Sequence, residues 1–470
     1  MNKLFDQLYF KVFAGCLALE AASLVAFFWP AIALPCLAVM ALIALIITAI
    51  NPRYGAYLIV LELIIGGFGY LLADEIGGFR VSLRLVIFAA ALIGWLIYII
   101  RKKDFAWIKQ RQFIYFLFLL FFLALGLVLA LFVYHRPVGD IFSDINAYLF
   151  FGLVGLFLTA RIDWQAIIKV FLAATLVTSI KTAVAFYLFV SGWAIVGGDH
   201  AYKWIRDTRA GEITQVTDNL HRIFFQSHFY NLLAIIIVAV LLFSGLKLRD
   251  RDRNWLWPLL WLNFLAILIS QSRSFWLALV ICAGLYFIYL IKQKSNFKRV
   301  FGYMMIWPLL LVSAHLAVNL MLGTMQINLV FVRATNEQSV GAASSRTAQL
   351  SPLWTEIKKS PIWGQGFAKE ITYRSSDPRN LTAENPEGWY TTSAFEWGYL
   401  DIILKIGFLG LLAYLVFIFG IFKKLFLQLR KEKIYAAFIL GAVALLVVNI
   451  FTPYLNHPLG IGYLLLMLAI

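Results

Sequence analysis

Three arginines and one glutamate are the residues best placed to do chemistry in this sequence. Arg222, Arg273 and Arg346 each stand at the edge of an apolar run, and Glu396 stands at the head of another. A guanidinium grips phosphate oxygens in a bidentate, charge-assisted fork, so three of them on one face suit a phosphate or diphosphate. The natural membrane-borne ligand of that kind is a polyprenyl diphosphate. A carboxylate in the same place suits a general base that takes the proton of an incoming hydroxyl. Each residue also has a plainer reading. Arginines snorkel to the interface or pair with acids in their own loops, and a glutamate at a helix N-terminus is stabilised by the helix dipole.

The elements that must position these groups lie between Arg346 and Gly410. A polar segment runs through Ser360-Pro-Ile-Trp-Gly364-Gln-Gly366, and Ser351-Pro352 ahead of Leu353-Trp354 reads as the start of a short amphipathic helix. Glu396, Tyr399, Leu400, Ile403, Gly407 and Gly410 then recur at helical spacing, which predicts one helical face headed by the carboxylate. Tyr399 on that face is a second-tier candidate. So are His221 and His228, which with His200 gather around one helix end without a metal-ligand spacing. Asp250-Arg-Asp252 has the DxD form that holds a metal in soluble nucleotide-sugar transferases, but it falls in a basic loop on the opposite side. Neither a metal nor another cofactor is expected.

Composition fixes the class. With 62% hydrophobic and 14% charged residues and a mean hydropathy of +0.84, the chain is far more apolar than a soluble globule, which carries about 25% charged residues. It reads as an all-α polytopic membrane protein. The net charge of +16 does not point to nucleic acid, because Lys and Arg sit in short clusters between apolar runs, as the positive-inside rule requires. Cys16, Cys36 and Cys282 lie within apolar runs and suggest neither a disulfide nor a metal site.

Spans of roughly the 20 residues needed to cross are expected near 10–28, 31–50, 55–74, 81–100, 113–134, 146–160 and 170–193. Seven more are expected near 222–245, 255–270, 275–291, 300–322, 396–422, 434–452 and 459–470. That is about fourteen transmembrane helices (range about 12–14) in a single transmembrane domain, with no cleaved signal peptide expected. Four basic clusters, Arg101–Arg111, Lys247–Arg253, Lys292–Arg299 and Lys423–Lys433, fall on one side. That side is expected to be the cytoplasm, with both termini. The segment 323–395 then becomes a large extracytoplasmic loop whose short helices cap the active site. Glu20, Glu62, Arg84, Lys181, His315, Asp401 and Lys405 are ionisable within spans. Asp401 with Lys405 is expected to pair on one helix, and Glu62 to neutralise Arg84 or Lys181.

Taken together, the second half of the sequence resembles the bacterial O-antigen polymerase and O-antigen ligase superfamily of integral-membrane glycosyltransferases. The resemblance rests on Arg222 ahead of Phe229-Tyr-Asn-Leu, on Ser272-Arg273-Ser before an apolar span, and on Arg346 with Trp354 and Ser360-Pro-Ile-Trp-Gly364-Gln-Gly366-Phe. It closes with Tyr399-Leu400 spaced to Gly407 and Gly410. It implies a GT-C-like membrane fold in the bacterial inner membrane, and metal-independent, inverting transfer from an undecaprenyl-diphosphate-linked glycan donor. It also implies arginines that hold the diphosphate and a base that activates the acceptor glycan, which is lipid-linked or lipid A core. Membrane lipids and a chain-length regulator protein are the further partners implied. Ligases of the family typically carry His, usually followed by Asn, where this sequence has Glu396-Trp397, a departure that favours a polymerase or a divergent member. The alternative in another class is a flippase or polysaccharide exporter, for which repeated halves and charges along a mid-membrane path would be expected.

Overall fold

The computed structural model describes residues 3–192, 199–216, 220–323, 344–377, 380–382 and 384–470. The part of the expected 323–395 loop at 324–343 thus lies outside the described residues. Among the described residues, nine helices are long and apolar enough to cross a membrane: Gln7–Phe28, Pro30–Ile50, Leu83–Lys102, Arg111–Val133, Val138–Ala160, Trp164–Val190, Arg273–Lys292, Phe297–Leu322 and Gly398–Leu429. Three shorter apolar helices, His228–Phe243, Tyr435–Val448 and Pro458–Ala469, join them. Pro52–Ile65 and Asp250–Ser270 complete the bundle. Each expected span overlaps one of these helices, and the protein is an all-α polytopic membrane protein.

The short helices are short because they are interior. All 16 residues of His228–Phe243 are buried, and a helix that is apolar all round belongs in a core rather than against solvent. Polar side chains join it to its neighbours. Asn231 Nδ2 donates to Ser179 Oγ (2.9 Å) and Asn263 Oδ1 (3.0 Å), and its Oδ1 accepts from Thr178 Oγ1 (3.1 Å). Interhelical contacts of this kind supply specificity where lipid offers no hydrophobic drive to associate. By contrast, Gln7–Phe28 and Ala33–Ile50 leave much of their apolar surface exposed, as lipid-facing helices do.

Three expected spans needed correction. The run at 55–74 ends as a helix at Ile65, and the chain turns through Gly67 and Gly69, both at positive φ, into a hairpin of Ala73–Ile76 with Phe79–Ser82. The run at 146–160 begins earlier, at Val138, and Asn146–Leu153 within it is wound as a 3-10 helix, so the whole segment is long enough to cross. The run at 222–245 opens as a strand, His221–Phe225, paired with Gly211–Gln215, before its helix starts at His228. These hairpins, with Ile371–Arg374 paired to Trp389–Thr392, are small additions outside the helices.

Ionisable residues inside the bundle are paired. Arg84 Nε meets Glu62 at 2.9 Å, and Lys181 meets Glu20 at 2.8 Å rather than Glu62. Lys405 pairs with Asp401 at 2.7 Å, as the i,i+4 spacing predicts, and also with Asp144 at 2.5 Å. Asp252 of the DxD sequence is buried, and its carboxylate accepts a hydrogen bond from Leu4 N (3.2 Å).

Candidate functional site

Two arginine-bearing corners lie at the end of the bundle opposite the basic clusters. In the first, Arg222 sits on the strand His221–Phe225, and its Nε donates to the Ser270 carbonyl (2.9 Å), the last residue of the helix Asp250–Ser270. A helix end leaves carbonyls without intrahelical partners and carries partial negative charge, so a guanidinium is well matched there. The chain then reverses through Gln271 at φ 47° and enters the helix Arg273–Lys292. Arg222 and Arg273 are therefore held on the two sides of one turn. The Arg222 guanidinium also lies 4.4 Å from the Phe224 ring centre, and Phe224 stacks on Phe275 (5.9 Å).

The second corner joins Arg346, in the helical turn 344–348, to Glu396 through an ion pair. Trp397 Nε1 donates to the Arg346 carbonyl (2.9 Å), which fixes the same turn from its backbone. Beneath it, Gln349 Nε2 donates to Tyr373 Oη (2.9 Å), and Ser345 Oγ lies 2.8 Å from Ser375 Oγ. Glu396 does not head a continuous helical face, because the helix begins at Gly398 and Gly407 breaks it at φ 75°, ψ 177°. Gly407 and Gly410 thus fall out of register with Tyr399 and Ile403.

That break is filled by the backbone of the glycine-bearing segment Pro361–Gly366. Phe408 N donates to Pro361 O (2.9 Å), while Gln365 N and Gly366 N donate to Leu404 O (2.7 Å) and Lys405 O (2.9 Å). Backbone groups at membrane depth must find protein partners, and Pro361–Gly366 supplies them. Glycines are required for the approach. A Cβ on Gly407 would lie 2.0 Å from Ile362 O, and one on Gly364 would lie 2.6 Å from the Gly407 nitrogen. Arg136 Nη1 donates to Gly366 O (2.9 Å), and Asp144 accepts from Ala368 N (2.7 Å), so Asp144 ties Lys405 to this segment. Asn456 completes the cluster by donating to Asp401. Sequence reading paired Asp401 with Lys405 but missed Asp144, Arg136 and Asn456. The one available signal for Asp144 was a carboxylate within a largely apolar run.

The 449–457 connection links the two corners. A Cβ on Gly398 would meet Asn449 O at 2.4 Å, and Trp397 lies 5.8 Å from Phe451, both beside Glu396. Further along, the Tyr454 ring lies 4.9 Å from Phe229 and 6.2 Å from Phe275, and its hydroxyl donates to Gln226 O (3.0 Å). This connection carries no charged residue, so a reading that follows charge passes over it.

The second-tier residues have local partners. Tyr399 Oη donates to Leu446 O (2.8 Å). His228 is fully buried. Its Nδ1 accepts from Phe225 N (3.2 Å), leaving Nε2 to donate to Thr182 Oγ1 (2.7 Å). Both nitrogens are thus engaged in holding the turn after the Arg222 strand. His221 packs 5.6 Å from Phe189, and burial pushes its pKa down.

Residues 258–415 match the family model described as O-antigen ligase. No curated protein sequence and no solved structure matches the chain.

Proposed function

We propose that this chain, whose residues 258–415 match the O-antigen ligase family, is a membrane glycosyltransferase that polymerises a surface polysaccharide at the outer leaflet of the bacterial inner membrane. The donor is a glycan on undecaprenyl diphosphate, and the acceptor is the hydroxyl of another lipid-linked repeat. The observation that carries this reading is the Arg346–Glu396 pair, at the same end of the bundle as Arg222 and Arg273.

In the proposed reaction the donor diphosphate takes over the arginines, and Arg346 exchanges its carboxylate partner for phosphate oxygens. Glu396 is then free to accept the acceptor hydroxyl proton as that oxygen attacks the anomeric carbon. The bond from the anomeric carbon to the diphosphate oxygen breaks in the same displacement, and the configuration inverts. Undecaprenyl diphosphate leaves with its new charge facing guanidinium groups, which stabilise it most where it is greatest. No metal enters the proposed step.

A ligase that passes the finished glycan to lipid A core is the second reading, favoured by the ligase description of the matched family. Purified protein given a lipid-diphosphate-linked repeat separates the two. A lengthening ladder on the carrier lipid supports polymerisation, and a single transfer that requires a distinct acceptor supports ligation. No transfer to either acceptor contradicts both.

A further inference from the structure

We propose that the groove along the membrane-facing side of the helix Gly398–Leu429, at the end remote from Glu396, binds an anionic glycerophospholipid. The groove encloses about 580 Å³, within the roughly 300–1,000 Å³ of ligand pockets. Its walls are Phe419, Phe422 and Phe426, with Leu446 from the neighbouring helix, and Lys423 and Arg430 stand at its edge. Phe419 and Phe426 are 64% and 52% exposed, so more than half of each is left uncovered by the described protein. In a membrane that uncovered apolar surface meets acyl chains.

The charges point to the headgroup. Lys423 and Arg430 are seven residues apart, which puts them on one side of the helix about 10 Å apart. Both are exposed, and neither makes a hydrogen bond or ion pair among the described residues. The adjacent Lys424 is differently placed, because it donates to Leu468 O within the bundle. Glu432, the nearest carboxylate in sequence, makes no ion pair with either cation.

Depth agrees. The helix is broken at Gly407, and the roughly 22 residues from 408 to 429 span about 33 Å at 1.5 Å per residue, close to the roughly 30 Å of hydrocarbon. Lys423 and Arg430 stand at the far end of that span, within the basic cluster opposite Arg346 and Glu396, where phosphates lie. A phosphodiester with net negative charge satisfies both cations, whereas a zwitterionic headgroup brings its own ammonium to oppose them. The occupant is accordingly an anionic lipid, with an acyl chain against the phenylalanines and the phosphate between Lys423 and Arg430.

Native mass spectrometry of the detergent-purified protein tests this, using phosphatidylglycerol and phosphatidylcholine as probes. Each cation near an anionic surface is worth about a fivefold preference, so the wild type should retain phosphatidylglycerol well above phosphatidylcholine. Lys423→Gln should lower that preference about fivefold, and Lys423→Gln with Arg430→Gln should bring it near parity. Both positions are exposed, so these variants should stay monodisperse. Leu446→Trp, which fills the groove without changing charge, should also lower phosphatidylglycerol retention. Equal retention of the two lipids by the wild type, an unchanged preference in the double variant, or undiminished retention in Leu446→Trp would each overturn the proposal.

Discussion

The Arg346 guanidinium is ion-paired with the Glu396 carboxylate, and each side chain is a little under half exposed, at 45% and 44%. An exposed ion pair contributes only about 0–1 kcal/mol. A charge-assisted contact to a phosphate contributes roughly 1.5–3 kcal/mol. In the proposed reaction an arriving diphosphate therefore displaces the carboxylate from Arg346. The pair is, on that proposal, the resting state of a site whose base is released when the donor binds.

Arginine geometry gives the first prediction. A lysine ammonium cannot reproduce the guanidinium fork, so Lys at position 222, 273 or 346 should lower transfer about ten- to a hundredfold, corresponding to roughly 1.5–3 kcal/mol. Arg222→Lys should also lower thermal stability, because Arg222 caps the helix ending at Ser270. Arg273→Lys and Arg346→Lys are therefore the cleaner probes, read as turnover at equal protein level. Wild-type turnover in both would assign these arginines to membrane anchoring.

The sidedness of the site is testable by labelling. Ala394 is exposed two residues before Glu396, and Lys431 is exposed in a basic cluster. Ala394→Cys should react with an impermeant thiol reagent added to spheroplasts, and Lys431→Cys should react only after lysis. The reverse pattern would invert the proposed topology, and the reaction would have to face the cytoplasm.

Gly407 should tolerate no side chain. Its φ of 75° costs an L-residue about 1–2 kcal/mol, and a Cβ would collide with Ile362 O. Gly407→Ala should lower the unfolding temperature of the detergent-purified protein and make the 350–369 segment more sensitive to protease. An unchanged melting curve would mean that the segment docks without needing this break.

Glu356 gives that segment a pH dependence. Burial raises its pKa, but hydrogen bonds from Lys359, Lys369 and Gln365 outweigh this and hold it at about 2, below its ordinary 4.5. A group depressed on folding adds stability that is full above its unfolded pKa and is lost as pH falls through its folded one. Hydrogen-exchange protection in residues 350–369, taken relative to the intrinsic rate at each pH, should therefore fall between about pH 4.5 and 2. Glu356→Gln should flatten that portion of the profile, and the same loss of protection in this variant would assign the effect to other carboxylates.

The helices were largely legible in the sequence because a span's apolar length is a strong, local signal. The arginines were legible as cations on the side where few are expected. What could not be read was set by contacts between distant segments. The segment at 360–366 read as a polar element positioning the functional groups, and its backbone supplies partners at the Gly407 break, but a break in an apolar helix leaves little trace in hydrophobic periodicity. Asp144 could not be matched to Lys405 without knowing which helices touch. The uncharged 449–457 connection lay outside any reading that follows charge, although Gly398 and Tyr454 show it joining the two corners.

The most direct test of the account is glycan transfer by Glu396→Gln, measured together with donor binding. Removing a general base typically costs about 10²–10⁴-fold in rate, while glutamine keeps the size of the side chain and removes the carboxylate charge that Arg346 pairs with. The account predicts that Glu396→Gln binds the lipid-diphosphate donor at least as well as wild type and that its transfer is nearly abolished. Glu396→His, which restores a proton acceptor, should recover part of the activity. Transfer by Glu396→Gln at the wild-type rate would contradict the account and move the search for the base to Glu384 and Glu387.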